Sequence, residues 1–193
     1  GPIMAGFAEV DAGRVGYRHR APTLGEHEAS FDGEPFPAPT ATLEPADLPL
    51  DGLRVIDFGH GGVGVECGRM LAEYGADVVK VESWSYPDFI RIVLGGVMTA
   101  SFASSSRSKR GFGADLKHPD GREVVLNLIR RADIVIENNS TGTMDALGLG
   151  YRHLREVRPE LIMVSSQLMG SRGEFSGWTG YGPTLQTVGG LSW

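Results

Sequence analysis

The sequence has little cysteine, no long apolar run and no basic tract, and each absence excludes a class of protein. Cys67 is the only cysteine among the 193 residues, so no internal disulfide is possible and the cytoplasm is the expected compartment. No apolar stretch approaches the roughly 20 residues that cross a bilayer, and no signal peptide opens the chain, so we expect no membrane partner. The net charge of -6 without a cationic cluster argues against nucleic acid as a partner.

Several catalytic and metal-binding patterns are also missing. The histidines lack the spacing of metal ligands, and we expect no metal. No Gly-x-Ser-x-Gly segment is present, which argues against a serine hydrolase. Cys67 follows Glu66 in a helical stretch, where a buried structural thiol is favoured over a nucleophile.

The first 49 residues differ in composition from the rest. Prolines interrupt them, and no helical or strand periodicity persists for more than a few residues; the prolines are Pro22, Pro35, Pro37, Pro39, Pro45 and Pro49. The pattern predicts an extended arm or linker, with disorder as the alternative. The opening Gly1-Pro2 is typical of a protease-tag remnant and is left out of the fold prediction.

From residue 50 onward, strand and helix patterns alternate. Hydrophobic residues make up 41% of the sequence, which predicts a packed core. Strands are predicted at residues 53–58, 76–81, 134–136 and 161–165, and helices at 65–74, 122–131, 141–147 and 151–157. Asp120 or a neighbour is expected to cap the second of these helices. The alternation predicts an α/β fold with a parallel sheet flanked by helices.

Three loops follow predicted strands and form the expected binding region. Ligands of parallel sheets bind beyond the carboxyl ends of the strands, which selects residues 60–64, 82–88 and 137–142. The first loop is rich in glycine, so its backbone can approach a ligand and the following helix can offer N–H groups to an anion. Its spacing does not match a dinucleotide-binding loop, and His60 could instead simply begin the helix.

Two further polar groups each allow two interpretations. Lys109 and Arg110, followed by Lys117, place two or three cations close together, which suits a polyphosphate, although a solvated charge cluster is the commoner case. Asn138 ends a predicted strand, where its amide could hold a ligand's polar atoms or cap the next helix.

The ordered set of these segments resembles the family III CoA-transferases, the CaiB/BaiF and formyl-CoA transferase type. The longest matching segment is LAEYGADVVKVE at residues 71–82. The resemblance runs from residue 50 to 193 through residues 50–58, 71–82, 108–110, 115–117, 132–138, 147–151, 180–181 and 189–191. It implies a Rossmann-like large lobe, a chain that returns through a small lobe, and two chains that interlock. A second copy or a companion module is therefore an expected partner.

The resemblance also implies where coenzyme A, or an acyl-CoA substrate, would bind. The corresponding positions are His60, Gly61, Gly62, Val63, Ser83, Ala114, Lys117, Asn138, Asn139, Ala146 and Leu147. Lys117 would serve the phosphates, and the loop at Asn138 would line the channel for the thiol arm. Ser83 and Ala146 are neutral where family members often carry a basic residue, and Gly62 replaces a catalytic-loop glutamine of formyl-CoA transferases.

The implied activity is transfer of coenzyme A from an acyl-CoA to a carboxylic acid. In the family an aspartate attacks the thioester, and backbone N–H groups of the glycine-rich loop support the oxyanion. That aspartate lies beyond the run at residues 189–191, so no catalytic residue is assigned and the 193 residues alone are expected to be inactive. A non-catalytic structural lobe of a tandem CoA-transferase, a CoA-linked lyase and a relative of the α-methylacyl-CoA racemases are the alternatives, of which the racemase is disfavoured. The family's racemase branch has a histidine where Tyr181 stands, and tyrosine is a far weaker base at neutral pH.

A second resemblance lies in the N-terminal arm. Residues 20–27 are similar to the motif that ends a family III chain, although here they precede a module. Residues 1–49 are therefore predicted to be the tail of a preceding module, and residues 50–193 the N-terminal part of the next one. A chance octapeptide is the alternative interpretation.

Overall fold

The computed structural model describes residues 8–10, 13–15, 48–93, 95–96 and 98–191. The chain divides into two compact units, residues 1–42 and 43–193. In the first unit, strand β1 (Ala8–Val10) pairs antiparallel with β2 (Gly13–Val15). This short hairpin adds regular structure to the predicted arm, whereas the motif at residues 20–27 lies outside the described residues.

The second unit is built on a parallel sheet. Its strands are β3 (Arg54–Asp57), β4 (Asp77–Glu82), β5 (Arg110–Gly113), β6 (Ile134–Glu137) and β7 (Ile162–Ser165). They are ordered β5-β4-β3-β6-β7, and every neighbouring pair is parallel. The four predicted strands are confirmed. The edge strand β5 was not predicted, because the segment Arg-Gly-Phe-Gly lacks the β-branched residues that mark strands.

Seven helices are described alongside these strands. They are α1 (Val63–Glu73), α2 (Phe89–Val93), α3 (Ala100–Ser105), α4 (Pro119–Ile129), α5 (Thr143–Ala146), α6 (Tyr151–Val157) and α7 (Gly182–Val188). The four predicted helices are confirmed as α1, α4, α5 and α6. The neighbour that caps α4 is His118, whose ring accepts the Asp120 N–H. Within the described part of the chain, no helix is long and apolar enough to span a bilayer.

The core lies on both faces of the sheet. Because successive strand side chains point to opposite faces, Val55, Val78 and Ile136 pack in one hydrophobic cluster and Ile56 and Val79 in the other. The first cluster includes residues of α1, and the second is covered by α4 and α6; the α4 and α6 members are Val125, Leu126, Ile129 and Leu154. This arrangement confirms the predicted α/β, Rossmann-like sheet flanked by helices.

The strand order creates one topological switch point. The chain runs from β3 outward to β4 and β5, then crosses back to β6 on the other side of β3. The connections therefore diverge at the carboxyl ends of β3 and β6, which is where open parallel sheets bind ligands. The loops that begin at residues 58 and 138 meet at this point.

Candidate functional site

The loops after β3 and β6 are joined by a reciprocal pair of hydrogen bonds. The His60 N–H donates to Asn138 Oδ1 at 2.7 Å, and Asn138 Nδ2 donates to the His60 carbonyl at 2.8 Å. Asn138 does not cap α5, because that helix begins after Gly142 without a side-chain cap. The capping interpretation is therefore wrong, and the amide of Asn138 instead fixes the backbone of His60.

Gly61 is one of the glycines in this segment that the fold requires. Its φ is 70°, in the left-handed region, and a Cβ at this position would lie 1.8 Å from Cε1 of Phe89. Its N–H donates to Asp88 Oδ1 at 2.9 Å. Gly62, in contrast, has open space around its missing side chain. Only a residue without Cβ fits at position 61.

The loop's backbone N–H groups are unequally available to a ligand. Those of Gly59, His60 and Gly61 already donate to the side chains of Asp57, Asn138 and Asp88, respectively. Among the described residues, no acceptor is found for the N–H groups of Gly62 and Val63, where α1 begins without a side-chain cap. The N–H groups of this loop that remain available to an anion are therefore those where α1 begins.

A cavity of about 160 Å³ opens beside His60. Its lining comes from the ends of β3, β4, β5 and β6 and from α5, and Phe58, Val81 and Met144 form an apolar part of the wall. Six of the residues predicted from the sequence line it, namely His60, Ser83, Ala114, Lys117, Asn139 and Leu147. The structure therefore brings these six residues together in one cavity at the strand ends.

The other five predicted residues do not line this cavity. Gly61 and Gly62 line a separate cleft beside α3, and Val63 is exposed on the first turn of α1. Asn138 lies behind His60, to which it is hydrogen-bonded, and Ala146 is exposed at the end of α5.

Lys117 is the cation of the cavity, and Tyr86 holds it in place. The Lys117 ammonium lies 4.4 Å from the centroid of the Tyr86 ring and donates to the phenol oxygen, a hydrogen bond that raises the pKa of Lys117. The Tyr86 N–H in turn donates to Ser83 Oγ at 3.0 Å. Ser83 thus shapes the turn that carries Tyr86. Sequence reasoning missed Tyr86, because no local pattern marks a residue of an irregular loop.

His60 carries a neutral imidazole at neutral pH. Burial is the main cause that lowers the pKa of His60, and the nearby Lys80 charge lowers it further. The carboxylates of Asp88, Glu82 and Asp57 oppose this shift without reversing it. The ring can therefore donate or accept a hydrogen bond at the cavity wall but does not supply a positive charge there.

Neither cation of the predicted polyphosphate pair faces the cavity. The Lys109 side chain is 1% exposed, and its ammonium donates to Asp57 Oδ2 at 2.7 Å and to the Val65 carbonyl at 2.6 Å. Arg110 forms an ion pair with Asp77 across the sheet edge. The polyphosphate interpretation of this pair is wrong. The solvated-cluster interpretation is also wrong for Lys109, because its charge is buried against a distant partner.

The carboxylates at the strand ends are engaged in the fold. Glu82 accepts the Asp88 N–H at 2.9 Å and pairs with Arg91 at 3.0 Å. Burial alone would raise the pKa of Glu82, but these hydrogen bonds and the neighbouring cations hold it below its ordinary value. Glu137 is 2% exposed and accepts hydrogen bonds from Asn139 and Gln167. Neither carboxylate offers a free nucleophilic oxygen.

Cys67 and the metal-type side chains add no second site. Cys67 is half-buried against the cluster of Val55 and Val78, and burial is the main cause that raises the pKa of its thiol. This agrees with the predicted structural thiol. A search of the described residues found no group of three or more histidine, cysteine, aspartate or glutamate side chains placed to hold a metal ion.

The fold and cavity define an α/β protein with a crevice at the switch point of a parallel sheet. The sequence model of CoA-transferase family III matches residues 50–193, and the chain belongs to that family. A probable CoA-transferase of Mycobacterium tuberculosis is 33% identical over 191 residues, which are 98% of this chain and 24% of that protein. The succinate–glutarate CoA-transferase of Agrobacterium fabrum is 37% identical over 153 residues, which are 74% of this chain and 38% of that protein.

Solved structures agree with this assignment. A CaiB/BaiF family protein from Brucella suis superimposes with a TM-score of 0.70 and 36% identity, and the match covers 75% of this chain and 40% of that one. The predicted CaiB/BaiF resemblance is confirmed. The chain spans about a quarter to two fifths of the length of these relatives.

Proposed function

We propose that this chain is the coenzyme-A-binding part of an enzyme that transfers coenzyme A between an acyl-CoA and a carboxylic acid. The observation that carries the proposal is the cavity at the ends of four parallel strands, with Lys117 at its wall. Relatives with this sequence pattern include the Agrobacterium succinate–glutarate CoA-transferase and a formyl-CoA:oxalate CoA-transferase of Afipia carboxidovorans, 35% identical over 144 residues.

The cavity suits the two chemically different ends of coenzyme A. Lys117 provides a cation for phosphate oxygens, and the Tyr86 ring beside it is half-exposed. The apolar wall and the neutral His60 suit the pantetheine arm, which is a chain of amides and methylenes. Asn139 adds polar atoms on the same wall. In this proposal the phosphates lie near Lys117 and the thiol arm near His60 and Asn138.

The proposed chemistry is covalent catalysis by a carboxylate outside this chain. An aspartate attacks the acyl-CoA thioester and expels the CoA thiolate, which leaves a mixed anhydride; the thiolate then attacks the enzyme's anhydride carbonyl and releases the acyl acid. The resulting aspartyl-CoA thioester reacts with the acceptor acid. Such a nucleophile must come within roughly 3–3.5 Å of the thioester carbon. Asp57, Glu82 and Glu137 are held by ion pairs or hydrogen bonds, which supports an external nucleophile.

We also propose that residues 1–49 are the tail of a preceding module in a tandem protein. The match to the M. tuberculosis relative covers 98% of this chain and so includes most of the arm, whereas the Agrobacterium match covers 74%. The aligned residues are 24% of the first relative and 38% of the second, so the first is about twice as long. A double-length relative that also matches the arm supports the tandem organisation.

A non-catalytic lobe is the second candidate, in which the chain completes an interlocked pair with an active copy or companion module. The neutral Ser83 and Ala146 favour it, because they remove positive charge expected near a polyphosphate. A racemase is disfavoured, because Tyr181 stands where the racemase branch has a histidine and tyrosine is a far weaker base at neutral pH.

Calorimetric titration with coenzyme A tests the proposal. Lys117→Ala removes one charge-assisted phosphate contact and should raise the Kd about 10-fold. Arg107→Ala is the matched control, because Arg107 is an exposed cation that pairs with Glu73 and does not line the cavity. An unchanged Kd for Lys117→Ala, or no binding by the wild type, would contradict the proposal.

A further inference from the structure

Four buried charges lie directly beneath the loop that follows β3. They form two ion pairs, Lys80 with Asp88 at 2.9 Å and Lys109 with Asp57 at 2.7 Å. All four side chains are at most 2% exposed. We call them the charge cluster. Lysine and aspartate are almost never buried this completely unless they are paired, so the arrangement is a specific feature of this fold.

Two members of the charge cluster bind the N–H and the carbonyl of Gly59. The Gly59 N–H donates to Asp57 Oδ1 at 2.7 Å, and the Lys80 ammonium donates to the Gly59 carbonyl at 2.5 Å. Asp57 and Lys80 are direct neighbours in the register of β3 and β4. The first residue of the loop is therefore fixed by two charge-assisted hydrogen bonds.

The other two members hold the backbone further along. Asp88 Oδ1 accepts the Gly61 N–H at 2.9 Å, and Lys109 donates to the Val65 carbonyl at 2.6 Å. Every charge of the cluster thus binds one backbone group between residues 59 and 65. The four charges come from β3, β4, the residue before α2 and the residue before β5. The cluster therefore links this segment to β4 and to the residues before α2 and β5.

Burying such a cluster costs free energy. Buried ions lose their hydration, and apolar side chains of similar size stabilise a core as well or better. A lysine and an aspartate do, however, fix backbone groups in one direction and distance, which methyl groups do not. The distribution of contacts along residues 59–65 is what distinguishes a positioning role from simple core packing.

We propose that the charge cluster positions the loop that presents His60 to the cavity, with Lys80 and Asp88 as its positioning residues. The inference rests on the proposed coenzyme A site. The cluster binds the carbonyl of Gly59 and the N–H of Gly61 on either side of His60, whose own N–H and carbonyl are held by Asn138. The loop held in this way carries His60 to the cavity wall and leaves the N–H groups of Gly62 and Val63 for a ligand.

A double substitution separates positioning from stability. Lys80→Met leaves Asp88 unpaired and should lower both thermal stability and CoA affinity. Lys80→Met/Asp88→Leu removes both charges and should recover much of the melting temperature while the Kd for coenzyme A stays at least 10-fold raised. Val125→Ala is the matched control, since Val125 is fully buried in α4 and remote from the loop; it should lower the melting temperature without changing the Kd.

Amide hydrogen exchange gives a readout that needs no ligand. The Gly61 N–H should be protected in the wild type and exchange at least 10-fold faster in Lys80→Met/Asp88→Leu, while the Ile56 amide of β3 stays protected. A double variant that keeps wild-type CoA affinity, or wild-type exchange at Gly61, overturns the inference. If the wild type binds no coenzyme A, the proposed function fails, and exchange at Gly61 alone decides whether the cluster positions the loop.

Discussion

Substituting alanine at two adjacent glycines should produce very different results. Gly61 and Gly62 lie next to each other in a glycine-rich loop, and sequence reasoning treated them alike. In the structure, a Cβ on Gly61 would lie 1.8 Å from Phe89 Cε1 and 2.4 Å from its Cζ, and the φ of 70° is unfavourable for any residue with a Cβ. A Cβ on Gly62 meets nothing within 4 Å, and its φ is -97°.

The expected cost follows from two separate contributions. A left-handed conformation costs an L-residue about 1–2 kcal/mol, and a methyl group forced into packed space costs about 1–3 kcal/mol. Gly61→Ala should therefore lower the free energy of unfolding by about 2–5 kcal/mol. Gly62→Ala has neither contribution, and the change should stay within about 0.5 kcal/mol.

Equilibrium urea unfolding of the two variants is the measurement. Gly61→Ala/Phe89→Leu is the informative third protein, because a smaller side chain relieves the clash and leaves the backbone contribution. It should recover part of the loss, so that about 1–2 kcal/mol remains beyond the cost of Phe89→Leu alone. Equal losses in both single variants, or no recovery in the double variant, would refute the assignment of the constraint to Gly61 and Phe89.

Two further predictions concern acid stability and turnover. The pKa values of Asp88 and Glu82 are lowered by folding from their ordinary 3.8 and 4.5, so their stabilising contribution is complete above those values and lost as the pH falls through the lower, folded ones. The His60 pKa, which folding lowers from 6.5, changes the stability in the same direction. The free energy of unfolding should therefore fall on acidification, and it should fall less steeply with pH in Glu82→Gln. If it falls as steeply in Glu82→Gln as in the wild type, the reasoning is contradicted. The chain incubated with acyl-CoA donors and carboxylic acids should form no product; product that disappears in Glu82→Gln or Glu137→Gln would place the nucleophile inside the chain.

The sheet could be predicted because its signals are local. The β-branched residues of β4 (Asp77–Glu82) and β6 (Ile134–Glu137) predict buried strands from the local sequence alone. Once strands and helices alternate, parallel pairing brings the strand ends to one edge of the sheet. That rule alone predicted that the loops of His60 and Asn138 lie together, and their backbone-to-amide hydrogen bonds confirm it.

The interpretation of Lys109 failed because its partner is not local. Asp57 lies 52 residues away in sequence, and nothing near Lys109 indicates that it is buried. A lysine beside an arginine looks like a surface cluster until the sheet is known. Only the strand order together with its register, which pairs Asp57 with Lys80 and Lys80 with Gly111, brings the start of β5 level with the end of β3. Tyr86 escaped prediction for the same reason, because its contact with Lys117 spans 31 residues.

The charges at the cavity connect the two candidate functions. Its lining contains one cation, Lys117, and two carboxylates, Glu82 and Asp115. Arg91 neutralises Glu82, so Lys117 and Asp115 nearly cancel, and a polyanion such as coenzyme A meets little attraction from this lobe alone. In the proposed interlocked pair, a second copy or a companion module would add cations to this site and strengthen binding beyond what this lobe provides alone. If the companion supplies these cations, this lobe contributes the shape of the cavity and the Lys117 contact. If it does not, the neutral Ser83 and Ala146 indicate a lobe that has the family fold but does not bind coenzyme A.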